Sequence, residues 1–94
     1  MMRSDHMKRP FNQLTRMRDA AELVRLIQEN TAAPATIDQE KRLLKLAHKH
    51  YCTLGEIQVQ YKLSGTEDEA ISKVYLTLAQ AEAEAKNIDT VKEI

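Results

Sequence analysis

The last third of the chain carries an apolar pattern that is typical of a packed helix. Between residues 71 and 88, apolar side chains recur at alternating intervals of three and four residues: Ile71, Val74, Leu78, Ala81, Ala85 and Ile88. An α-helix places such positions along one side, as in the seam of a coiled coil. The small side chains of Ala81 and Ala85 allow a neighbouring helix to approach closely. This segment therefore predicts a helix that packs lengthwise against another helix, with Thr66 and Glu69 as a capping box at its start.

An N-terminal helix is predicted by the same kind of spacing. Pro10 suits the first helical turn, where its missing N–H would have no partner in any case. Pro34 cannot continue a helix and marks the end of the segment. The apolar positions between them cover about half of the helix circumference, which indicates several neighbours. They are Leu14, Met17, Ala20, Ala21, Leu23, Val24 and Ile27.

A middle helix is predicted to start at Thr36, which forms a capping box with Gln39. We expect this helix to run to Leu63, with Gly55 as its weakest point because glycine lowers helix stability. Its core face contains Leu43, Leu46, Ala47, His50, Leu54, Ile57 and Tyr61. Residues 57 to 63 also alternate between apolar and polar side chains, as a half-buried strand would. That strand has no convincing partner in the chain, so it would have to pair with a second copy.

The fold class that follows is all-α. Two glycines and two prolines are too few for a turn-rich β fold. We predict a three-helix domain in which the middle and last helices form a long, antiparallel, coiled-coil-like hairpin and the N-terminal helix packs across it. A single domain is expected over residues 10–94, with residues 1–9 disordered. Met7 is expected to be the natural first residue, some of the preceding residues being additions.

Composition indicates in which cellular compartment the protein functions and which partners its charge favours. A single cysteine cannot form an internal disulfide, and no apolar segment approaches the ~20 residues of a membrane span. We therefore expect a cytoplasmic protein that makes no membrane contact. Its net charge is zero, but residues 64–94 are acidic and the rest is mildly basic. No basic run is dense enough for a nucleic-acid arm.

The segment HKHYC places three side chains with ligand chemistry at alternate positions: His48, His50 and Cys52. On a helix each residue turns by about 100°, so His50 points towards the core and the other two point away. A structural zinc site normally needs four protein ligands, which are not present here. We expect no metal and no cofactor, with His50 a hydrogen-bonded core histidine and Cys52 a small apolar side chain. No nucleophile motif or phosphate loop is present, so no catalytic residues and no enzymatic activity are expected.

A second apolar stripe on the middle helix points to protein binding. It contains Leu44, His48, Cys52, Val59 and Leu63. A helix that is apolar on two sides is usually covered on two sides, either by the N-terminal helix or by another chain. We expect another chain, with a homo-oligomer built on this stripe, on the heptad seam of the last helix, or on both. Lys45 and Lys49 on the same helix would steer an acidic protein partner.

The function predicted on these grounds is that of a small, non-catalytic regulatory protein. It would act by binding another protein, as inhibitors and adaptors of bacterial or phage type do. The alternative is a DNA-binding transcriptional regulator, because residues 53–74 are predicted to form a helix, a turn and a second helix in the order of a helix-turn-helix motif. The helix that would enter the major groove opens with Glu67, Asp68 and Glu69, which phosphates repel. We therefore do not expect nucleic acid as a partner.

Overall fold

The structure is a computed structural model that describes residues 13–93, with the side chains described for residues 13–86. It contains four helices, α1 (Gln13–Ala32), α2 (Ile37–Lys49), α3 (Leu54–Lys62) and α4 (Glu67–Glu93), and this described part contains no strand. The all-α prediction is confirmed. The strand alternative for residues 57 to 63 is wrong, because most of that segment forms α3. The disorder expected for residues 1–9 concerns positions outside the described residues.

The predicted middle helix is two helices, because the chain leaves the helical path after Lys49. The N–H of Cys52 donates to the carbonyl of Ala47 at 2.9 Å, and the N–H of Tyr51 donates to the carbonyl of His48 at 3.0 Å. This bond pattern is the Schellman motif, which satisfies the last carbonyls of a helix and requires one left-handed residue. That residue is Tyr51, with a φ angle of 63°. Glycine is the usual residue at this position, so its absence hid the break from sequence analysis.

Tyr51 should hold the α2–α3 turn in a strained backbone conformation. A non-glycine residue in the left-handed region carries a penalty of about 1–2 kcal/mol that glycine escapes. We expect Tyr51→Gly to be more stable than Tyr51→Ala by roughly this amount, because both variants lack the ring and only the alanine retains the strain. Urea unfolding of the two variants measures the difference. Equal midpoints would show that the turn is not left-handed at this position.

Each of the last three helices begins at a threonine. Thr36 accepts a hydrogen bond from the N–H of Gln39 at 3.1 Å, and the Gln39 side chain accepts one from the N–H of Thr36, so the predicted capping box is confirmed. A second capping box joins Thr53 and Glu56 and starts α3. At α4 the Thr66 hydroxyl caps Glu69, whose carboxylate accepts from the N–H of Gly65 rather than of Thr66. Local side chains therefore set these three helix starts.

The core forms where α4 packs against α1 and α3, while α2 contacts α1 and α3. Arg16 near the start of α1 contacts Glu82 late in α4, and Gln28 lies with Ala70 beside one surface hollow, so α1 and α4 run antiparallel. The most extensive packing of α4 is with α1 and the next with α3, so the predicted long hairpin between the middle and last helices is not confirmed. Fully or almost fully buried apolar residues fill the centre: Ala20, Leu23, Val24, Ile27, Leu43, Leu46, Ala47, Cys52, Ile57, Ala70, Val74 and Leu78.

The heptad seam of α4 is largely used within one chain. Val74 and Leu78 have no exposed surface, and Ile71 and Ala81 are partly buried against the same core. Ala85 is half-buried, and the side chain of Ile88 lies outside the described residues. A contact between two copies of the chain therefore needs other side chains than Val74 and Leu78. Among the helices described, none is both long and apolar enough to cross a membrane.

Candidate functional site

A histidine without any exposed surface lies between two carboxylates at the centre of the molecule. His50 follows α2 and is 0% exposed, which confirms the prediction of a hydrogen-bonded core histidine. Its Nε2 lies 2.7 Å from Oδ2 of Asp19 on α1. Its Nδ1 contacts Oε2 of Glu82 on α4. The imidazole therefore joins α1, the α2–α3 turn and α4.

Two cations complete this group. Nζ of Lys49 lies 3.0 Å from Oδ2 of Asp19. The guanidinium of Arg16 donates to Oε1 of Glu82 from Nη2 at 2.6 Å and from Nε at 3.1 Å. We call Arg16, Asp19, Lys49, His50 and Glu82 the buried charge cluster. Each carboxylate in it has both a cation and a ring nitrogen of His50 as partners, as buried charges require.

Tyr75 supports the cluster from α4. The guanidinium carbon of Arg16 lies 5.5 Å from the centroid of the Tyr75 ring, which is a cation–π distance. Nη1 of the same guanidinium donates to the Tyr75 hydroxyl at 3.4 Å. Arg16 is thus held against α4 by both a carboxylate and an aromatic ring.

The environment of Asp19 favours its charged form. Burial raises the pKa of this carboxyl, but hydrogen bonds from His50 and Lys49 outweigh burial, so the pKa lies below its ordinary value. A carboxyl with a lowered folded-state pKa stabilises the fold above its unfolded-state pKa. That stabilisation is lost as the pH falls through the lowered value. Asp19 is therefore an ionised, structural carboxylate at neutral pH.

The geometry of the cluster does not suit a metal ion. Asp19 and Glu82 approach different nitrogens of one imidazole ring, so their carboxylates lie at separate edges of the ring and do not converge on a common point. Among the described side chains, no group of three or more His, Cys, Asp or Glu is arranged to hold a metal. Nor is His50 placed for general acid–base work, which needs a ring nitrogen within reach of a substrate proton.

The HKHYC segment is divided by the turn, so its three ligand side chains do not meet at one site. His48 is exposed on α2, His50 lies in the buried charge cluster, and Cys52 lies in the apolar core with 2% exposure. Burial, followed by the nearby charge of Glu56, raises the pKa of the Cys52 thiol to about 11. The thiol is therefore protonated at neutral pH, and only a thiolate is a strong nucleophile.

The predicted second apolar stripe is only partly present. Cys52 belongs to the core and not to an outer surface, because the turn at Tyr51 ends the periodicity of α2. Val59 and Leu63 remain on the outside and are 52% and 63% exposed. They are four residues apart at the end of α3, so they lie one turn apart on one side; we call this pair the α3 face. Leu44 on α2 is 44% exposed.

The two lysines predicted to attract an acidic partner have different surroundings. Lys45 is exposed on α2. Lys49 is bound to Asp19 and is part of the buried charge cluster, although 40% of its side chain remains exposed. Arg42, which lies between them and the start of α2, forms an ion pair with Glu22 of α1 at 2.7 Å. Part of the basic side of α2 thus serves to attach α2 to α1.

Sequence analysis did not find the partners of His50. A usable signal was present, because Asp19 precedes the buried Leu23 by four residues and Glu82 follows the buried Leu78 by four. Charged residues on the buried side of two helices indicate ion pairing inside the fold. A comparison of the chain with protein-family models, curated proteins and solved structures found no match. Function is therefore inferred from the geometry alone.

Proposed function

We propose that this protein is a small, non-catalytic regulator that acts by binding another protein, as an inhibitor or adaptor does. The α3 face is its binding surface in this proposal. The observation that carries the proposal is the exposure of Val59 on α3 and of Leu63, the residue that caps the end of this helix, on one side. Apolar surface that folding leaves in water is the usual material of a protein-binding site.

The chemistry of the interior also supports a binding role. His50 and Cys52 are the described side chains on which we would first place acid–base or nucleophilic chemistry. One is enclosed by Asp19 and Glu82, and the other is a buried thiol with a raised pKa. A partner would instead meet the apolar α3 face and exposed lysines such as Lys62 and Lys45. A complementary partner surface is therefore apolar with acidic residues at its rim.

The test is capture of a partner from a lysate of the native host, using variants of the α3 face. Val59→Asp or Leu63→Asp places a charge in the proposed contact, where desolvation without a partner charge is unfavourable. We expect either change to abolish retention of a discrete partner protein. Circular dichroism should show an unchanged fold, because both side chains are more than half exposed.

Leu76→Asp is the matched control. Leu76 is also exposed, by 57%, but it lies on α4 and is not part of the α3 face. This variant should retain the partner at the level of the unchanged protein. If all three variants bind equally, the α3 face is not the binding surface.

Self-association through the α3 face is part of the proposal. Because Val74 and Leu78 are covered within one chain, a second copy would meet exposed side chains such as Val59 and Leu63. Light scattering at micromolar concentration distinguishes an oligomer from the 10.8 kDa monomer. A monomer that still captures a partner would remove self-association and leave the regulator proposal in place.

The DNA-binding alternative has less support. The turn between α3 and α4 has the required order of elements, but Glu67, Asp68 and Glu69 are exposed in the first turn of α4. A recognition helix presents these positions to base edges and phosphates, which repel carboxylates. Nanomolar, salt-sensitive gel shifts with host DNA, abolished by changes in this turn, would favour the alternative over the regulator proposal.

A further inference from the structure

The contacts of His50 require more protons than a neutral imidazole carries. A neutral ring has one N–H donor and one nitrogen lone pair. In the structure each ring nitrogen faces a carboxylate oxygen, Nε2 that of Asp19 and Nδ1 that of Glu82. With a neutral ring and two ionised carboxylates, one lone pair would face a negative oxygen inside the protein. One additional proton removes this repulsion.

The neighbours indicate where that proton resides. Asp19 accepts from both His50 and Lys49 and stays ionised, so Nε2 carries a proton. Arg16 donates twice to Glu82, which favours the negative form of that carboxylate. The additional proton then belongs on Nδ1, and His50 is an imidazolium that donates to both carboxylates.

We propose that His50 is a pH-sensitive latch, which holds α1 and the α2–α3 turn to α4 when doubly protonated and releases them when it loses one proton. The latch is central because Asp19 and Glu82 lie on α1 and α4, the two helices that pack most extensively against each other. The turn that it holds leads directly into α3. A rise in pH therefore acts on the element that carries Val59 and Leu63.

Three helices contribute charged or titratable groups to the surroundings of His50, and these groups enter this balance. Helix α1 supplies Arg16 and Asp19, α2 supplies Lys49, and α4 supplies Tyr75 and Glu82. From α3, Glu56 is engaged with Thr53 and Cys52. With His50 doubly protonated the buried charge cluster contains three cations and two anions. Protonation of Asp19 destabilises the fold at acid pH. Loss of a ring proton from His50 destabilises it at higher pH in the proposed latch.

The sign of the pH effect follows from proton counting. If the folded state holds a proton that the unfolded chain releases more readily, stability falls as the pH rises. In the proposed latch this contribution is present while His50 donates to both carboxylates, and it is absent once one ring proton is lost. The fold should therefore become less stable on the alkaline side.

Nitrogen-15 NMR of the full chain tests the latch directly. Correlation spectra show which ring nitrogens carry protons, and we expect both nitrogens of His50 to be protonated at about pH 7.5, where an ordinary histidine is mostly neutral. The exposed His48, two residues earlier, is the internal control. A His50 ring with a single N–H at this pH in the folded protein would overturn the proposal.

Thermal unfolding from about pH 6 to about pH 9 supplies the second measurement, in a range that includes the usual charge change of histidine. The midpoint of the unchanged protein and of His48→Gln should fall by several degrees. In Glu82→Gln the side-chain amide can donate to an unprotonated Nδ1, so the contact does not need the additional proton. The fall in the unfolding midpoint should therefore be reduced or absent in this variant. An equal fall in Glu82→Gln, or no fall in the unchanged protein, would overturn the latch. These outcomes do not depend on partner capture, so the latch and the regulator proposal fail separately.

Discussion

Glu82→Ala is expected to destabilise the fold by about 3–5 kcal/mol, as is usual when one partner of a buried ion pair is removed. Arg16 would lose the carboxylate that binds its guanidinium, and Nδ1 of His50 would lose its carboxylate contact; their side chains are only 18% and 0% exposed. The positive charge of Arg16 would then lie inside the protein without the carboxylate that offsets it. Chemical unfolding monitored by circular dichroism measures the loss. A domain of this size has a total stability of roughly 5–15 kcal/mol, so the variant should lose a large fraction of its stability.

Glu84→Ala is the control for that experiment. Glu84 lies two residues further along α4 and is exposed. The chemical change, the helix and the loss of charge are the same, and only the contacts differ. Exposed substitutions of this kind usually change stability by less than about 0.5 kcal/mol. Similar losses in the two variants would mean that the buried charge cluster contributes little.

Leu78→Ala is expected to cost about 2–5 kcal/mol, because it removes buried methyl groups and leaves a cavity. Leu78 has no exposed surface and lies on the seam of α4 between the buried Val74 and the partly buried Ala81. The free energy of unfolding from urea titration gives the size of the loss.

Leu76→Ala makes the same chemical change on the same helix at a position that is 57% exposed. We expect this variant to unfold within about 0.5 kcal/mol of the unchanged protein. If Leu78→Ala caused an equally small loss in the free energy of unfolding, the described packing of α4 against α1 and α3 would be contradicted. A strong loss at Leu76 alone would instead indicate that this side of α4 is covered by a second chain.

The helical class could be predicted because its determinants are local. Apolar spacing and threonine caps act over three or four residues, and the structure has hydrogen-bonded caps at Thr36 and Thr66. The cap at Thr53 was visible in the sequence as Thr53-Leu54-Gly55-Glu56 and would have started a new helix there. We expected the helix to continue because no glycine or proline precedes Gly55.

The tertiary arrangement could not be predicted in the same way. The break after α2 depends on Tyr51 in a left-handed conformation, which a bulky side chain disfavours. The direction of His50 towards the core was predicted, but its partners Asp19 and Glu82 are 31 and 32 residues away in the chain. Heptad spacing on α4 indicates that a helix packs there without indicating which one. The neighbours proved to be α1 and α3.

The contact between Arg16 and Glu82 closes a loop across 66 positions of the chain, which bears on the order of folding. Contacts between elements as close in sequence as α3 and α4 lose little entropy on forming, whereas joining the two ends of the chain loses more. We therefore expect the α3–α4 pair to assemble early and the ends to meet after the rate-limiting step. The instability of Glu82→Ala should then appear as faster unfolding with an almost unchanged refolding rate. In that case the ion pairs that join the two ends set the lifetime of the folded molecule rather than the speed at which it forms.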